Sequence, residues 1–582
     1  MNTSCATGRV FDISLSRKPE TAEEIQQTGD GNIYRNIQTD SSLKLRTVLM
    51  ILAVVASAMT IMFVLHAETG SAEADVVDSG ECGPDAHYTY YSDGTMVISG
   101  SGAMYDYYTT DSPWYEYTNS IRKVVIGDEI TSLGEWAFLK CLNLKELTIP
   151  ITLNSVKSDA HPAFAGCCNI TKVNFTCGNG GYGCGYAAYS GFNSWYQNTP
   201  WFQSRESLTE INFADGIKGI GSDSFRELNI TSIVIPESVV VLGNHCFFNC
   251  TKLTTLTIPV SLNPYGNEDY PAFHGCSAIE YVTLTEGNGT PFDYTNWCGS
   301  VDNANLAPWN MNSAIGKKIT ISENVTSLGR YIFYGCNMQE LTISISFNAV
   351  WKDSHPAFEG VYGLQKVIFT PGSGYGYNYG AYEDIDAWYQ HTPWYMCRGT
   401  LTEIVFQDGI KYIGSDAFRE LNITSIVIPN SVESLSNHTF FHCTQLTDIT
   451  LPITLNSVAS NAYPAFNQCD AIVNVRLTAG ETGIGYDYTD HVPVWCTPFH
   501  RACKIVIDSD VTYIGTNTFE GFAFIGADGK IIDPTAEFLS GHVFEGANGI
   551  MHIADDTDSL EELDSVVKLD SIVAPEALAC RY

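Results

Sequence analysis

The sequence predicts a β-rich solenoid, with a parallel sheet on one face and short turns or helices on the other. It predicts caps at both ends and one N-terminal transmembrane helix. Three observations carry this. A short apolar signature recurs along most of the chain. Residues 208–236 nearly repeat at 401–429, with GSDSFRELNITSIVIP set against GSDAFRELNITSIVIP. Thr47 to Leu65 contain no charge, a run long enough to cross a bilayer as a helix.

Composition narrows the class. The 582 residues include 65 acidic and 30 basic side chains, a formal net charge of −35. Phosphate backbones repel such a polyanion, so no nucleic-acid partner is expected. Aromatic residues make up 12% of the chain, more than a disordered acidic chain carries.

In chain order, residues 1–46 read as a cytosolic leader and 47–67 as an uncleaved signal-anchor. Lys44 and Arg46 precede the apolar run and Glu68, Glu73 and Asp75 follow it, which places the leader inside. The alternative is cleavage near Ala72-Glu73-Ala74 and secretion. Residues 68–79 read as a linker. Residues 80–120 read as an N-terminal β cap, because Asp93-Gly94 separates two alternating runs as a hairpin does.

The solenoid spans 121–520. Each unit opens on an apolar residue, another three on and another two on, starting at Ile121, Leu144, Ile170, Leu208, Ile230, Leu253, Ile279, Gly316, Met338, Leu364, Leu401, Ile423, Leu446, Ile472 and Ala502. The alternation predicts a short strand. Proline often ends it, as at Pro150, Pro259 and Pro452, since it cannot extend a ladder. A buried aromatic follows, as in Ala137-Phe138, Ser224-Phe225 and Ala417-Phe418, and cysteine often closes the unit. No unit can bury its apolar face alone, so stacking supplies the core. Residues 521–549 read as the C-terminal cap, with a turn at Asp528-Gly529. Residues 550–582 read as an acidic tail.

LTTLTIPVSL followed by Ala-Phe and Cys, and LTEIVFQDGIKYIGSDAF, resemble the BspA-like class of leucine-rich repeat. Residues 80–114 and 522–549 resemble modules that flank such repeats. The resemblance implies a leucine-rich-repeat solenoid on a cell-surface or secreted protein with adhesive or partner-binding roles. Ser436 in place of the usual glycine, Gly316 in place of a strand apolar, and four inserts depart from the pattern.

Those inserts hold the candidate binding residues. Each precedes a module-opening tryptophan: Trp201, Trp309, Trp394 or Trp495. These tryptophans, with Trp114, read as packing residues because they keep a fixed offset from a core glycine. Insertions at equivalent repeat positions emerge on one side of a solenoid. Two inserts are rich in tyrosine, whose stiff ring and polar tip suit recognition. They nominate Tyr182, Tyr186, Tyr189, Trp195 and Tyr196, and Tyr375, Tyr377, Tyr379, Tyr382, Trp388 and Tyr389. The competing reading is that these rings fold back as covers.

Cys177 with Cys184, and Cys496 with Cys503, are candidate disulfides in an oxidising exterior. Asn169, Asn174, Asn229, Asn249, Asn288, Asn324, Asn422 and Asn437 stand in N-x-[ST] sequences and are candidate glycosylation sites. The chain lacks G-x-x-x-x-G-K-[ST], H-E-x-x-H, G-x-S-x-G and C-x-x-C, and has no calcium-loop pattern. Gly178, Gly180 and Gly183 fit G-x-G-x-x-G without a following helical pattern. No enzymatic activity, cofactor or metal is therefore expected. The expected function is adhesion or protein–protein interaction outside the cell. A structural envelope role and carbohydrate binding through the Tyr/Trp-rich inserts are the alternatives.

The anchor reading predicts that protease added to intact cells removes the repeats and spares residues 1–46. A mature protein free in the medium and beginning near Asp75 contradicts it.

Overall fold

In a computed structural model the described residues are 74–554, apart from 157–160, 187–194, 265–270, 295–306, 351–356, 380–387, 457–463, 489–501, 520 and 548. Among them no helix is long and apolar enough to cross a membrane. The leader and the 47–67 segment lie outside the described residues.

All fifteen signatures become strands, from Lys123–Ile126, Glu146–Pro150 and Lys172–Thr176 through to Ala502–Ile507. Neighbours pair in parallel and in register, as Leu147 with Val173 and Leu256 with Val282. The ladder falls into three sheets, interrupted between Glu210–Phe213 and Ser232–Val234 and at the equivalent step between Glu403–Phe406 and Ser425–Val427. A shorter parallel ladder runs on a second side, pairing Gly219–Ile220 with Val241–Leu242 and Tyr412–Ile413 with Ser434–Leu435.

The caps continue the sheet. Asp85–Tyr91 and Thr95–Ala103 form the expected hairpin, turning through Gly94 at φ 88°. Thr95–Ala103 then pairs in parallel with Lys123–Ile126. At the far end, Val543–Ala547 lies antiparallel on the last repeat strand. The Asp528-Gly529 turn forms, and a one-turn helix occupies Ala536–Leu539. Two boundaries are corrected. Val76–Glu81, partly within the stretch read as linker, is a strand held by its pairing to Asp85–Tyr91. Ile550–Ile553, read as the start of the tail, is a strand between Val543–Ala547 and Ala523–Ile525. Neither shows an apolar alternation, so neither is legible without its partner.

Inside, the aromatics stack from turn to turn. Trp201, Phe225, Phe247 and Phe273 follow one another with ring centroids 5.7, 5.3 and 5.0 Å apart. Trp394, Phe418, Phe440 and Phe466 repeat the series at 5.8, 5.4 and 5.1 Å. Trp114–Phe138–Phe164 and Trp309–Phe333–Phe358 are the shorter versions. All are buried, as the fixed tryptophan offset implied. Trp114, Trp201 and Trp394 each donate the indole N–H to a carbonyl of the following turn at 2.6–2.7 Å. Trp495 lies outside the described residues.

The closing cysteines line this column. The thiols of Cys167, Cys250, Cys276, Cys443 and Cys469 donate to the carbonyls of Phe138, Phe225, Phe247, Phe418 and Phe440 at 3.0–3.2 Å. On the outer wall, residues four apart take left-handed backbone, such as Asp223 and Glu227 or His245 and Asn249, with φ of 54–60°. That conformation costs roughly 1–2 kcal/mol per non-glycine residue. Hydrogen bonds between turns offset it, as Phe225 N to Cys246 O and Glu227 N to Phe248 O, both 2.8 Å. Gly316 marks a register shift that turns Lys317 inward, where its Nζ donates to Ile279 O at 2.6 Å.

Truncating the middle of the column should be costly. Phe225→Ala is expected to destabilise the chain by about 3–5 kcal/mol, read as a lowered thermal midpoint. An unchanged midpoint contradicts the stacking account.

Candidate interaction surfaces

Alternation leaves two columns of side chains on the outer face of the strands. The first column reads Lys123, Glu146, Lys172, Glu210 in the first half and Lys318, Glu340, Lys366, Glu403 in the second. Unlike charges therefore face each other across the ladder, the arrangement that favours register. Lys123–Glu146, Lys172–Glu210 and Lys366–Glu403 close to 3.0–3.1 Å. Adding Asp448, Arg476, Lys504 and Glu545 leaves these outer columns balanced, although the chain carries −35. Its acidity lies elsewhere.

The halves then diverge. The first half presents Ser232, Val234, Thr255, Thr257, Tyr281 and Thr283, a patch without charge. Val234 is 58% and Tyr281 42% exposed, and Lys318 Nζ stands 5.0 Å from the Tyr281 ring centre. The second half presents Ser425, Val427, Asp448, Thr450, Asn474 and Arg476 at the same positions. With Lys504 and Val506 these line a shallow groove of about 310 Å³. Asn474 Nδ2 donates to Asp448 at 2.7 Å, and Arg476 pairs with Asp508 at 3.0 Å. The inward neighbours stay apolar in both halves: Leu256 and Val282, Ile449 and Val475. No sequence motif marked this face, although the outward positions follow from the alternation.

The tyrosine-rich inserts divide. Tyr182 and Tyr375 are exposed, and Trp195 is exposed at the edge of its insert. Tyr377 and Trp388 are half-buried against the core. Tyr189 and Tyr382 lie outside the described residues. Tyr186, Tyr196, Tyr379 and Tyr389 are buried, which corrects their placement on a binding surface. Each is held by its hydroxyl. Tyr186 and Tyr379 reach back a full turn to donate to Leu153 O and Phe347 O, with their rings edge-on to Trp201 and Trp394. Tyr196 and Tyr389 donate to Glu227 and Glu420. There Arg226 and Arg419 pair with Asp223 and Asp416 and stack on Phe248 and Phe441 at 4.1–4.2 Å. This docking site accounts for the near-identity of SDSFRELNIT and SDAFRELNIT.

Cys177 and Cys184 are free thiols, a correction to the proposed bridge. Cys177 donates to Asp215 O in the next turn, while the Cys184 backbone N–H is bonded to Ile151 O, so the intervening bridge of Tyr182 to Gly219 holds them on separate contacts. Cys496 lies outside the described residues, and Cys503 lies in the last repeat strand. Among the candidate glycosylation sites, Asn249, Asn288, Asn324 and Asn422 are exposed, while Asn169, Asn174, Asn229 and Asn437 are half-buried. Asn174 sits in the strand face, donating to Glu146 and accepting from Asn212. Among the described residues no cluster of His, Cys, Asp and Glu is disposed to hold a metal ion.

A family model described as a BspA type leucine-rich repeat region matches six copies, over residues 109–184, 198–295, 311–379 and 393–490, together more than half of the chain. A comparison with curated proteins found no match. Among solved structures the chain is similar to a leucine-rich repeat protein from Bacteroides ovatus ATCC 8483, at 18% identity and TM-score 0.21, covering 71% of this chain and 95% of that one. It is also similar to one from Eubacterium ventriosum ATCC 27560, at 17% and 0.22, covering 81% and 99%. A third is a leucine-rich cell surface protein from Faecalibacterium prausnitzii A2-165, at 16% and 0.18, covering 70% and 95%.

Burial pushes the thiols of Cys167, Cys246, Cys250 and Cys443 well above their ordinary value of 9.0, and that of Cys336 to about 12. An acid that holds its proton more tightly when folded costs nothing below its unfolded pKa. Above it the unfolded chain releases protons that the folded chain keeps, so stability falls as pH rises. The melting temperature should stay level through neutral pH and decline from about pH 9 upward. Cys250→Ala should soften that decline. A level melting temperature well above that pH contradicts the assignment.

Proposed function

The chain belongs to the BspA-type leucine-rich repeat family, and from that premise we propose that it is a surface-exposed binding protein whose strand face docks another protein. The observation that carries this is the balanced strand face on a strongly acidic chain. Its charges pair with one another, so an approaching protein meets little net repulsion there. The uncharged patch around Val234 and Tyr281 adds apolar and aromatic area of the kind that anchors interfaces. The two halves offer that patch and the Arg476–Asp448 groove at equivalent positions, which suits two contacts on one elongated partner.

The 47–67 segment supports an anchored form, with residues 1–46 in the cytosol and the repeats outside; cleavage and secretion is the alternative. The cell-surface description of the Faecalibacterium prausnitzii relative supports the outward orientation. Adhesion follows as the role of a binding face displayed in this way. Tyr182, Trp195 and Tyr375 extend the contact area beside it.

The test is attachment of cells displaying the chain to neighbouring cells or protein-coated surfaces. Val234→Asp with Tyr281→Ala removes the two most exposed anchors without touching the core. Attachment strength is expected to fall about tenfold or more, the loss typical of a truncated interface anchor, while the melting temperature stays level. Attachment that survives this double change overturns the strand-face assignment.

A further inference from the structure

The strand face is complementary to itself end for end. Its first outward column reads Lys-Glu-Lys-Glu from Lys123 to Glu210, then Ser232, Thr255 and Tyr281, then Lys-Glu-Lys-Glu from Lys318 to Glu403. Reversed about Thr255, this order sets every charge against its opposite: Lys318 against Glu210, Glu340 against Lys172, Lys366 against Glu146 and Glu403 against Lys123. Register along the ladder needs only unlike neighbours, and a second block beginning on glutamate would supply them equally. Such a block would set like charges against each other throughout the reversal.

The neighbouring outward column, from Val125 through Val234, Thr257 and Thr283 to Val405, carries no charge. Val234 and Tyr281, 58% and 42% exposed, lie one turn to either side of Thr255. The charged flanks pair along the ladder and still keep a side open to solvent. Lys172 and Glu210 stay 34% and 48% exposed, and Lys366 and Glu403 28% and 49%.

We propose that the partner of this face is a second copy of the chain, docked face to face and running the opposite way, with a twofold axis along the strand Thr255–Pro259. This rests on the strand-face reading above and names its occupant. Val234 and Tyr281 of both copies gather at the centre, and the alternating charges form the rim, the layout of a specific interface. The twofold makes every contact twice. A twofold between Glu340 and Lys366 also matches the charges beside it, but it sets Asp448 and Arg476 against Thr255 and Val234, so Thr255 is the better centre. Lys123 to Glu403 span about eleven turns, roughly 50 Å, and the two columns are about 10 Å wide. The two copies together then bury on the order of 1,000 Å², the lower end for a specific contact, which suits reversible attachment. The N-terminal caps fall at opposite ends, as they do for anchored chains on two facing cells.

The test couples the full chain by its N-terminus to beads of two colours. Salt of about 0.15 M screens the net charge of −35 beyond about 8 Å. Wild-type beads should clump. Lys172→Glu beads and Glu340→Lys beads should each clump about tenfold less, because each change sets two like-charged pairs across the twofold. Mixed together, the two variants should clump with each other as wild type does, since each supplies the charge that the other reversed. Their own ladders are equally disturbed alone and in the mixture, so only a facing copy gives this rescue. Thr255→Asp, which brings two carboxylates together on the axis, should disperse the beads at unchanged melting temperature. Wild-type beads that stay dispersed overturn the proposal, as does a mixture that clumps no better than either variant alone. If Val234→Asp with Tyr281→Ala then still lowers attachment to protein-coated surfaces, the strand-face reading stands and its partner is a different protein.

Discussion

The structure depends on one contact made repeatedly: an aromatic ring of one turn against the ring of the next. The strands contribute backbone pairing, but each turn adds one short strand to the ladder and cannot cover its own apolar face. The tryptophan and phenylalanine column closes that face. It also fixes the stagger between turns, because the N–H groups of Trp114, Trp201 and Trp394 each find a carbonyl one unit ahead. The cysteines belong to the same device. A thiol is small enough to lie beside the stack and can donate to the carbonyl of the phenylalanine one turn back, which alanine or valine cannot do. The raised thiol pKa values are a consequence of this burial and leave these cysteines as poor nucleophiles.

Because the column carries stability, other positions are free to differ, and the duplication records where they do. The halves agree at the core, at the Arg226 and Arg419 docking sites, and in the Lys-Glu-Lys-Glu column that sets register. They disagree on the strand face, with Thr255, Tyr281 and Thr283 against Asp448, Asn474 and Arg476. They disagree again on the second ladder, with Gly219 and Val240 against Tyr412 and Glu433. Both differences lie on outward positions. A surface that only needed solubility would accept scattered charge; instead one half keeps an uncharged patch from Ser232 to Thr283 and the other builds a groove of paired charges at the same positions.

Most of the fold was legible in the sequence because the apolar spacing recurs fifteen times, and repetition settles a phase that a single five-residue run leaves open. The tryptophan offset was legible for the same reason. The candidate site was legible only in part. Tyr182 and Tyr186 are four positions apart in a glycine-rich loop that has no periodicity, yet one is exposed and the other buried. What separates them is a carbonyl at Leu153, brought close only by stacking of the turns. Lys317 was illegible too, since a lysine beside a second lysine in a strand reads as outward until the register shift is seen. The strands Val76–Glu81 and Ile550–Ile553 owe their conformation to pairing with neighbours and not to their own side chains.

The central claim is that the aromatic column folds the chain and the outward strand positions choose the partner. Grafting the second half's outer residues onto the first, as Thr255→Asp, Tyr281→Asn and Thr283→Arg together, tests it directly. Thermal melting and partner binding are then measured on the same preparation. The account predicts a melting temperature within a few degrees of wild type, since exposed strand-face changes are worth only tenths of a kcal/mol each, and a clear change in which surface or cell the protein attaches to. Large destabilisation, or unchanged attachment on a stable fold, would contradict it.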